Sequence, residues 1–185
     1  MIIVEKMKFK PYPEIKSERL FLRQIKESDA KAILFLRSDK TVNTFIERPE
    51  NRKTKNISDA LEFIKEVDNN IESNQSIAWG ITFISDPKLI GTICLWNFSQ
   101  DNTTAEVGYD LNPKFQNKGI MSEALKKIIE YGFKDLNLDK IEAFTHIENE
   151  NSKKLLVKNG FHFNENRKDL NNKSNIIFEI ENVRH

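Results

Sequence analysis

Apolar residues change spacing several times along the chain, and each change marks an element. Leu20-Phe21-Leu22-Arg23-Gln24-Ile25 alternates, which predicts a strand. Ser28-Asp29 resembles a helix start, with Ala30, Ile33, Leu34 and Leu36 following at helical spacing. Residues 38–57 are polar and mixed, broken by Pro49, and are expected to form a loop or short helices. Ser58 is the expected N-cap of a second helix, whose Leu61, Ile64, Val67 and Ile71 form one apolar stripe. From residue 76 the period shortens. Strands are expected over 76–84 and 89–98, around a turn at Ser85-Asp86-Pro87-Lys88, and over 103–111 after a polar turn. These three form an antiparallel meander, which Pro113 ends. Helical spacing returns over 118–136, where Leu125, Ile128, Ile129, Gly132, Phe133 and Leu136 share a face. A strand over 140–146, a short helix over 151–159 and two strands over 161–170 and 175–180, around an Asn171-Asn172 turn, complete the pattern.

The passage from a strand ending at 111, through a helix, to a strand at 140 requires parallel neighbours. The expected fold is therefore α+β or α/β: a mixed, mostly antiparallel central sheet of about seven strands with helices on both faces. Residues 1–16 hold two of the five prolines and many charges, and read as an arm. Residues 17–185 read as a single domain.

Composition narrows the function classes. With 185 residues, 38% hydrophobic and 31% charged, the chain has a soluble globular composition. Its 29 Lys and Arg against 28 Asp and Glu argue against a large basic surface for nucleic acid. A single cysteine, Cys94, excludes an internal disulfide and a cysteine-built zinc site, and its strand-like neighbours suggest a buried small hydrophobe. His146, His162 and His185 are scattered, so no metal is expected. No stretch reaches the ~18 apolar residues that span a bilayer. Met1-Ile2-Ile3-Val4 is too short for a secretory segment, so the expected location is cytoplasmic.

The informative segment runs from Ala105-Glu106-Val107-Gly108-Tyr109-Asp110-Leu111 through Gln116-Asn117-Lys118-Gly119-Ile120-Met121 to Ser122-Glu123-Ala124. A strand ends, a polar loop with one glycine follows, and a long amphipathic helix begins. Such a helix start offers unpaired N–H groups and the positive end of the dipole, which suits a pyrophosphate. At Gly119 a Cβ would intrude on a phosphate approaching the backbone. The same residues also suit an ordinary helix start with a glycine and a basic residue. Neither a P-loop nor a Rossmann glycine pattern is present.

Gln116-Asn117-Lys118-Gly119-Ile120-Met121 resembles the Gln/Arg-x-x-Gly-x-Gly/Ala signature of the GNAT N-acetyltransferases. Ser17-Glu18-Arg19-Leu20-Phe21-Leu22-Arg23 with Ser28-Asp29-Ala30 looks like the opening of its RimJ/RimL-type branch, named for ribosomal-protein N-terminal acetylation. Glu106-Val107-Gly108-Tyr109, Ser122-Glu123-Ala124, Asn149-Glu150-Asn151-Ser152 and Asn159-Gly160-Phe161 are similar to that branch too. The resemblance covers about residues 17 to 181. Three positions depart from the wider family: Met121 at the second small-residue position, Leu156 where many members have a tyrosine that protonates the leaving thiolate, and Ser152 where many have alanine.

The resemblance implies a GNAT fold, acetyl-CoA as donor and a primary amine as acceptor, either a protein N-terminus or a small molecule. It implies no nucleic acid, membrane or metal partner, and a monomer or homodimer. Glu106 becomes the candidate general base through water, with Asp110 as rival. Alternation puts Glu106, Gly108 and Asp110 on one face of their strand and Val107, Tyr109 and Leu111 on the other. Backbone N–H groups near Tyr109, Asp110 and Leu111 would meet the thioester oxygen and pair with pantetheine. Gln116, Asn117, Lys118, Gly119, Ile120, Met121 and Ser122 would hold phosphates, Asn149 would contact the pantetheine arm, and Lys153 or Lys154 would add charge. Ser152, with Asn151 as the expected helix cap beside it, would replace the missing tyrosine. Arg48, Glu47 and Glu50, in the 39–58 stretch, could read a charged acceptor. The alternatives are a polyamine, antibiotic or amino-acid-like amine as acceptor, a CoA-binding regulatory module without turnover, and a phosphate-binding domain unrelated to CoA.

Overall fold

A computed structural model describes residues 8–183. Met1-Ile2-Ile3-Val4, the rest of the first seven residues of the expected arm, and His185 lie outside the described residues. The order of elements is β1 (Ile15–Lys16), β2 (Leu20–Arg23), α1 (Ala30–Ser38), α2 (Ile57–Glu72), β3 (Ile77–Phe83), β4 (Asp86–Trp96) and β5 (Thr104–Leu111). It continues with α3 (Ile120–Lys134), β6 (Lys140–His146), α4 (Glu150–Lys158), β7 (His162–Phe163) and β8 (Asn175–Glu181). The strands form one eight-stranded sheet in the order β1-β2-β3-β4-β5-β6-β8-β7. Only β5 and β6 run parallel among the described residues, as the crossover through α3 requires. This is the mixed, mostly antiparallel sheet expected from the period changes, with β1 added from the end of the expected arm.

Neighbouring residues on β3 show how the two faces are filled. Trp79 is fully buried and meets Tyr131 of α3 edge-on, with ring centroids 5.4 Å apart. Gly80 faces the other way, where a Cβ would fall 2.8 Å from Leu89 and 3.4 Å from Ile25. Leu89 and Ile25 belong to the apolar cluster that Ile33 and Leu36 of α1 and Ala60 and Ile64 of α2 complete. The larger cluster joins Leu20, Leu22, Ile93 and Leu95 of the sheet to Leu125 and Ile128 of α3 and Leu156 of α4. A buried ion pair anchors the start of α1. Arg23 donates to both oxygens of Asp29, at 2.8 and 2.9 Å, and Asp29 accepts the Lys26 N–H at 2.8 Å. Cys94 is a half-buried free thiol on β4, pushed up to about 12 by burial against a backbone bond at Gly108.

Several expected boundaries move, each for a local reason. Helix α2 starts at Ile57, because Asn56 rather than Ser58 is extended and accepts the Asp59 N–H at 3.0 Å. The turn before β4 is tighter than expected, since Phe83 already pairs with Asp86. Pro87, which has no N–H to donate, falls where this ladder shifts register. Helix α4 is capped by Asn149, not Asn151. The strand expected over 161–170 shrinks to His162–Phe163. Beyond it Asn164, Asp169 and Asn172 each accept a backbone N–H two residues on, at 2.9–3.1 Å, and such local bonds compete with a ladder. Among the described residues no helix is long and apolar enough to cross a membrane, and no group of three or more metal-ligating side chains could hold a metal ion.

Candidate active site

The site begins where a ladder stops. β5 and β6 pair at Thr104 with Lys140, Ala105 with Ile141 and Glu106 with Glu142, and no further. Above Glu106, β5 stays with β4 as far as Leu111, and β6 stays with β8 as far as His146. The two strands therefore part, and the edge of β5 facing β6 is left without a partner strand. Over this gap lies a cleft of about 610 Å³, walled by the end of β5 and the first turns of α3 and α4.

Of the residues singled out in the sequence, Tyr109, Asp110, Leu111, Gln116, Asn117, Gly119, Ile120, Met121, Ser122, Asn149 and Ser152 all line this cleft. Glu106 sits at the base of the gap, outside the lining. Lys118 is also outside; its Nζ donates to the Lys114 carbonyl at 2.8 Å. Lys153 turns away to Glu150, 2.6 Å distant, while Lys154 and Lys158 face the cleft.

The loop before α3 holds two left-handed residues, Asn117 at φ 60° and Gly119 at φ 72°. At Gly119 a Cβ would meet nothing closer than the Arg19 guanidinium at 3.5 Å. The left-handed backbone, rather than crowding by the protein, is what calls for glycine there. This turn brings the N-terminus of α3 to face the cleft. At α4, the Asn149 Oδ1 caps the helix by accepting the Ser152 N–H at 3.1 Å. The Ser152 hydroxyl is buried and lies 2.8 Å from the Tyr109 hydroxyl. Ser122 donates to Asn159 Oδ1 at 3.1 Å, tying α3 to the end of α4.

Two carboxyl groups on β5 have different surroundings. Burial pushes Glu106 up to about 7, with Asp169 and Glu142 adding to the effect and an Asn97 amide, at 3.4 Å, opposing it. Asp110 is tied to β4, accepting both the N–H and the hydroxyl of Thr92 at 3.1 and 2.9 Å. Burial raises its pKa as well, against the Thr92 bonds and the charges of Arg48 and Arg37. A base needs a free lone pair and a pKa near the working pH. Glu106, at about 7, meets the second requirement.

Residues 19–162 match the acetyltransferase (GNAT) domain. The chain belongs to the GNAT family of N-acetyltransferases. This acetyltransferase is 35% identical over 150 residues to the uncharacterized N-acetyltransferase YoaA of Bacillus subtilis (strain 168), covering 81% of this chain and 83% of that protein. Among solved structures it is similar to the ribosomal-protein-S5-alanine acetyltransferase of Vibrio fischeri, with TM-score 0.78, 24% identity and coverage of 92% and 97% of the two chains. RimJ of Mycobacterium smegmatis, solved with a CoA disulfide, superposes with TM-score 0.73 at 17% identity, covering 88% of this chain and 81% of that one. The RimJ/RimL-type branch expected from the motifs is thus represented among its neighbours.

In this acetyltransferase two of the motifs that carried the resemblance clasp each other. Glu123 of α3 accepts from the Ser17 hydroxyl at 2.7 Å, the Arg19 N–H at 2.8 Å and Arg19 Nε at 2.7 Å, which fixes the start of β2 against the start of α3. Met121, the departure from a small residue, is buried in the main core cluster as well as lining the cleft. Leu156 is fully buried and offers no proton.

Sequence reasoning pointed to the 39–58 stretch through Glu47, Arg48 and Glu50 but missed the residues that roof the cleft, Thr41, Val42, Thr44, Phe45 and Ile46, and Phe115 and Leu155 in its walls, where Asn151, expected as a helix cap, also stands. Phe45 stacks on His146 at the end of β6, with ring centroids 5.1 Å apart. The available signal was the pair Phe45-Ile46 inside an otherwise polar stretch. Glu50 there is engaged with Lys53 and Lys55, and Arg48 donates to Asn43.

Proposed function

We propose that this acetyltransferase passes an acetyl group from acetyl-CoA directly to a primary amine, with a protein N-terminal amine as acceptor. The observation that carries this reading is the placement of Glu106 at the point where β5 and β6 part, with its carboxyl pushed to about 7. An α-amino group titrates near ~8 and a lysine near ~10.4, so the acceptor must lose a proton before it attacks. Glu106 takes that proton through water. The free edge of β5 pairs with the amides of the pantetheine arm as an added strand would. N–H groups near Tyr109, Asp110 and Leu111 meet the carbonyl oxygen as it gains charge. The first turn of α3 beyond Gly119 holds the pyrophosphate, Lys154 and Lys158 supply positive charge nearby, and Ser152 meets the leaving sulfur.

A protein acceptor is supported by the Vibrio fischeri neighbour, a ribosomal-protein-S5-alanine acetyltransferase, and by an open cleft roofed by the 41–46 segment. We read residues 17–185 as one domain, acting in the cytoplasm. The test is release of free thiol from acetyl-CoA in the presence of a panel of small amines and short peptides with free N-termini. Thiol release driven by peptides supports the full reading. Release driven only by small amines moves the acceptor to that class, and none with any acceptor contradicts acetyl transfer.

A further inference from the structure

We infer that Tyr109 acts through Ser152 as the second member of a proton relay to the leaving sulfur. The inference rests on the acetyl-transfer reading above. Its basis is the contact between the Tyr109 and Ser152 hydroxyls, 2.8 Å apart, in the wall of the cleft.

An aliphatic hydroxyl meeting a thiolate alone is poorly matched, because its own conjugate base is far more basic than the sulfur. A phenol, near ~10 when free and about 12 here, is still a stronger acid than an aliphatic alcohol, so the phenol behind the serine narrows the gap to a thiol near ~8.5. A hydroxyl both donates and accepts, so the Tyr109–Ser152 bond can reverse direction without either side chain moving. Leu156 fills the neighbouring turn of α4 with a buried hydrocarbon and supplies no competing donor. The Tyr109 ring is on the β5 face that meets α4, opposite the face carrying Glu106, so acid and base reach the reacting centre from opposite sides of one strand. Burial pushes Tyr109 up to about 12, against the Ser152 bond, which keeps the phenol protonated and loaded through the working range.

The step balances as follows. The amine nitrogen forms a bond to the thioester carbon, the C–S bond breaks, and its electron pair stays on sulfur. The Ser152 hydroxyl gives its proton to that sulfur while the Tyr109 hydroxyl gives its proton to Ser152 Oγ. The phenolate recovers a proton from water before the next turnover. The ammonium proton leaves through Glu106 to water before attack, and the second proton, shed by the nitrogen as the amide forms, leaves by the same route.

Single-turnover thiol release from acetyl-CoA, with whichever acceptor in the panel turns over fastest, tests the relay. Tyr109→Phe is expected to slow release roughly 10–150-fold, the scale of one lost hydrogen bond in a charge-developing step, while acetyl-CoA affinity stays unchanged. Added to Ser152→Ala, it should cost nothing further, because the phenol acts only through the serine. In mixed light and heavy water the unmodified enzyme should give a curved proton inventory, and Tyr109→Phe a straight one. Should Tyr109→Phe fold poorly, 3-fluorotyrosine at position 109 keeps the shape with a more acidic phenol, and should speed release. An unmodified rate in Tyr109→Phe, an additive double variant, an unchanged inventory or a rate indifferent to fluorination each overturns the relay. Absence of thiol release by the unmodified enzyme is a different result: it contradicts acetyl transfer itself and removes the relay with it.

Discussion

Glu106 and Glu142 face each other across the last paired rung of β5 and β6, and the strands separate immediately above them. Glu179 extends the row on β8, opposite Glu142. Cations answer two of the three carboxylates: Arg167 bonds Glu142, and Lys140 Nζ lies 3.6 Å from both Glu142 and Glu179. Glu106 has the neutral Asn97 amide instead. Within the row, Glu106 is the carboxyl that burial raises, to about 7.

That shift has a pH signature in stability. The Glu106 carboxyl is raised from 4.5 to about 7 by folding, so the native state holds its proton more tightly than the unfolded chain. Below pH 4.5 the group is protonated in both states and has no effect. As pH rises from 4.5 through 7, ionising it increasingly destabilises the native state, and above 7 the penalty is constant. Glu106→Gln is always neutral and escapes it. Thermal melts should show the variant melting higher than the parent at pH 8, with the gap closing below pH 5. A gap independent of pH would contradict the assigned environment.

Gly119→Asp should abolish the stabilisation that acetyl-CoA gives the fold. The substitution forces a side chain into a left-handed backbone at φ 72° and puts a negative charge at the start of α3. Saturating acetyl-CoA should raise the melting temperature of the parent and leave the variant unmoved. An equal shift in both would place the phosphates elsewhere.

Asp29→Ala should be strongly destabilising without touching the cleft. It strands the buried Arg23 guanidinium and removes the acceptor for the Lys26 N–H. Breaking one side of a buried pair costs about 3–5 kcal/mol, which denaturant titration would read directly. A loss below about 1 kcal/mol, the scale of exposed pairs, would show that water reaches Arg23.

What could be read from the chain alone follows from where the information sits. Helix α3 and the β3–β4–β5 meander were legible because their apolar periods are local and long. The Gln116–Met121 segment was legible through its resemblance to the family signature; its residues alone suited an ordinary helix start equally well. The short β7 was not, since side-chain bonds from Asn164, Asp169 and Asn172 compete with pairing over a stretch whose apolar residues still suggested a strand. The choice of Asn56 over Ser58 as a cap depends on which of two polar residues takes the extended backbone, which the tertiary fold decides. The roof at Phe45 and the Tyr109–Ser152 contact join residues about 100 and 43 positions apart in the chain. No periodicity records such a meeting.

The pH dependence of thiol release, measured for the parent and for Glu106→Gln, tests the central claim most directly. In the parent, kcat/KM should carry a limb with an apparent pKa near the Glu106 value of about 7, beside the acceptor amine's own titration near ~8 or ~10.4, because only the ionised carboxyl can accept the amine proton. Glu106→Gln should turn over roughly 100-fold or more slowly, as loss of a general base does, with acetyl-CoA affinity unchanged and the limb near 7 gone. A Glu106→Gln variant with the parent's rate and profile from pH 6 to 9 would contradict the account.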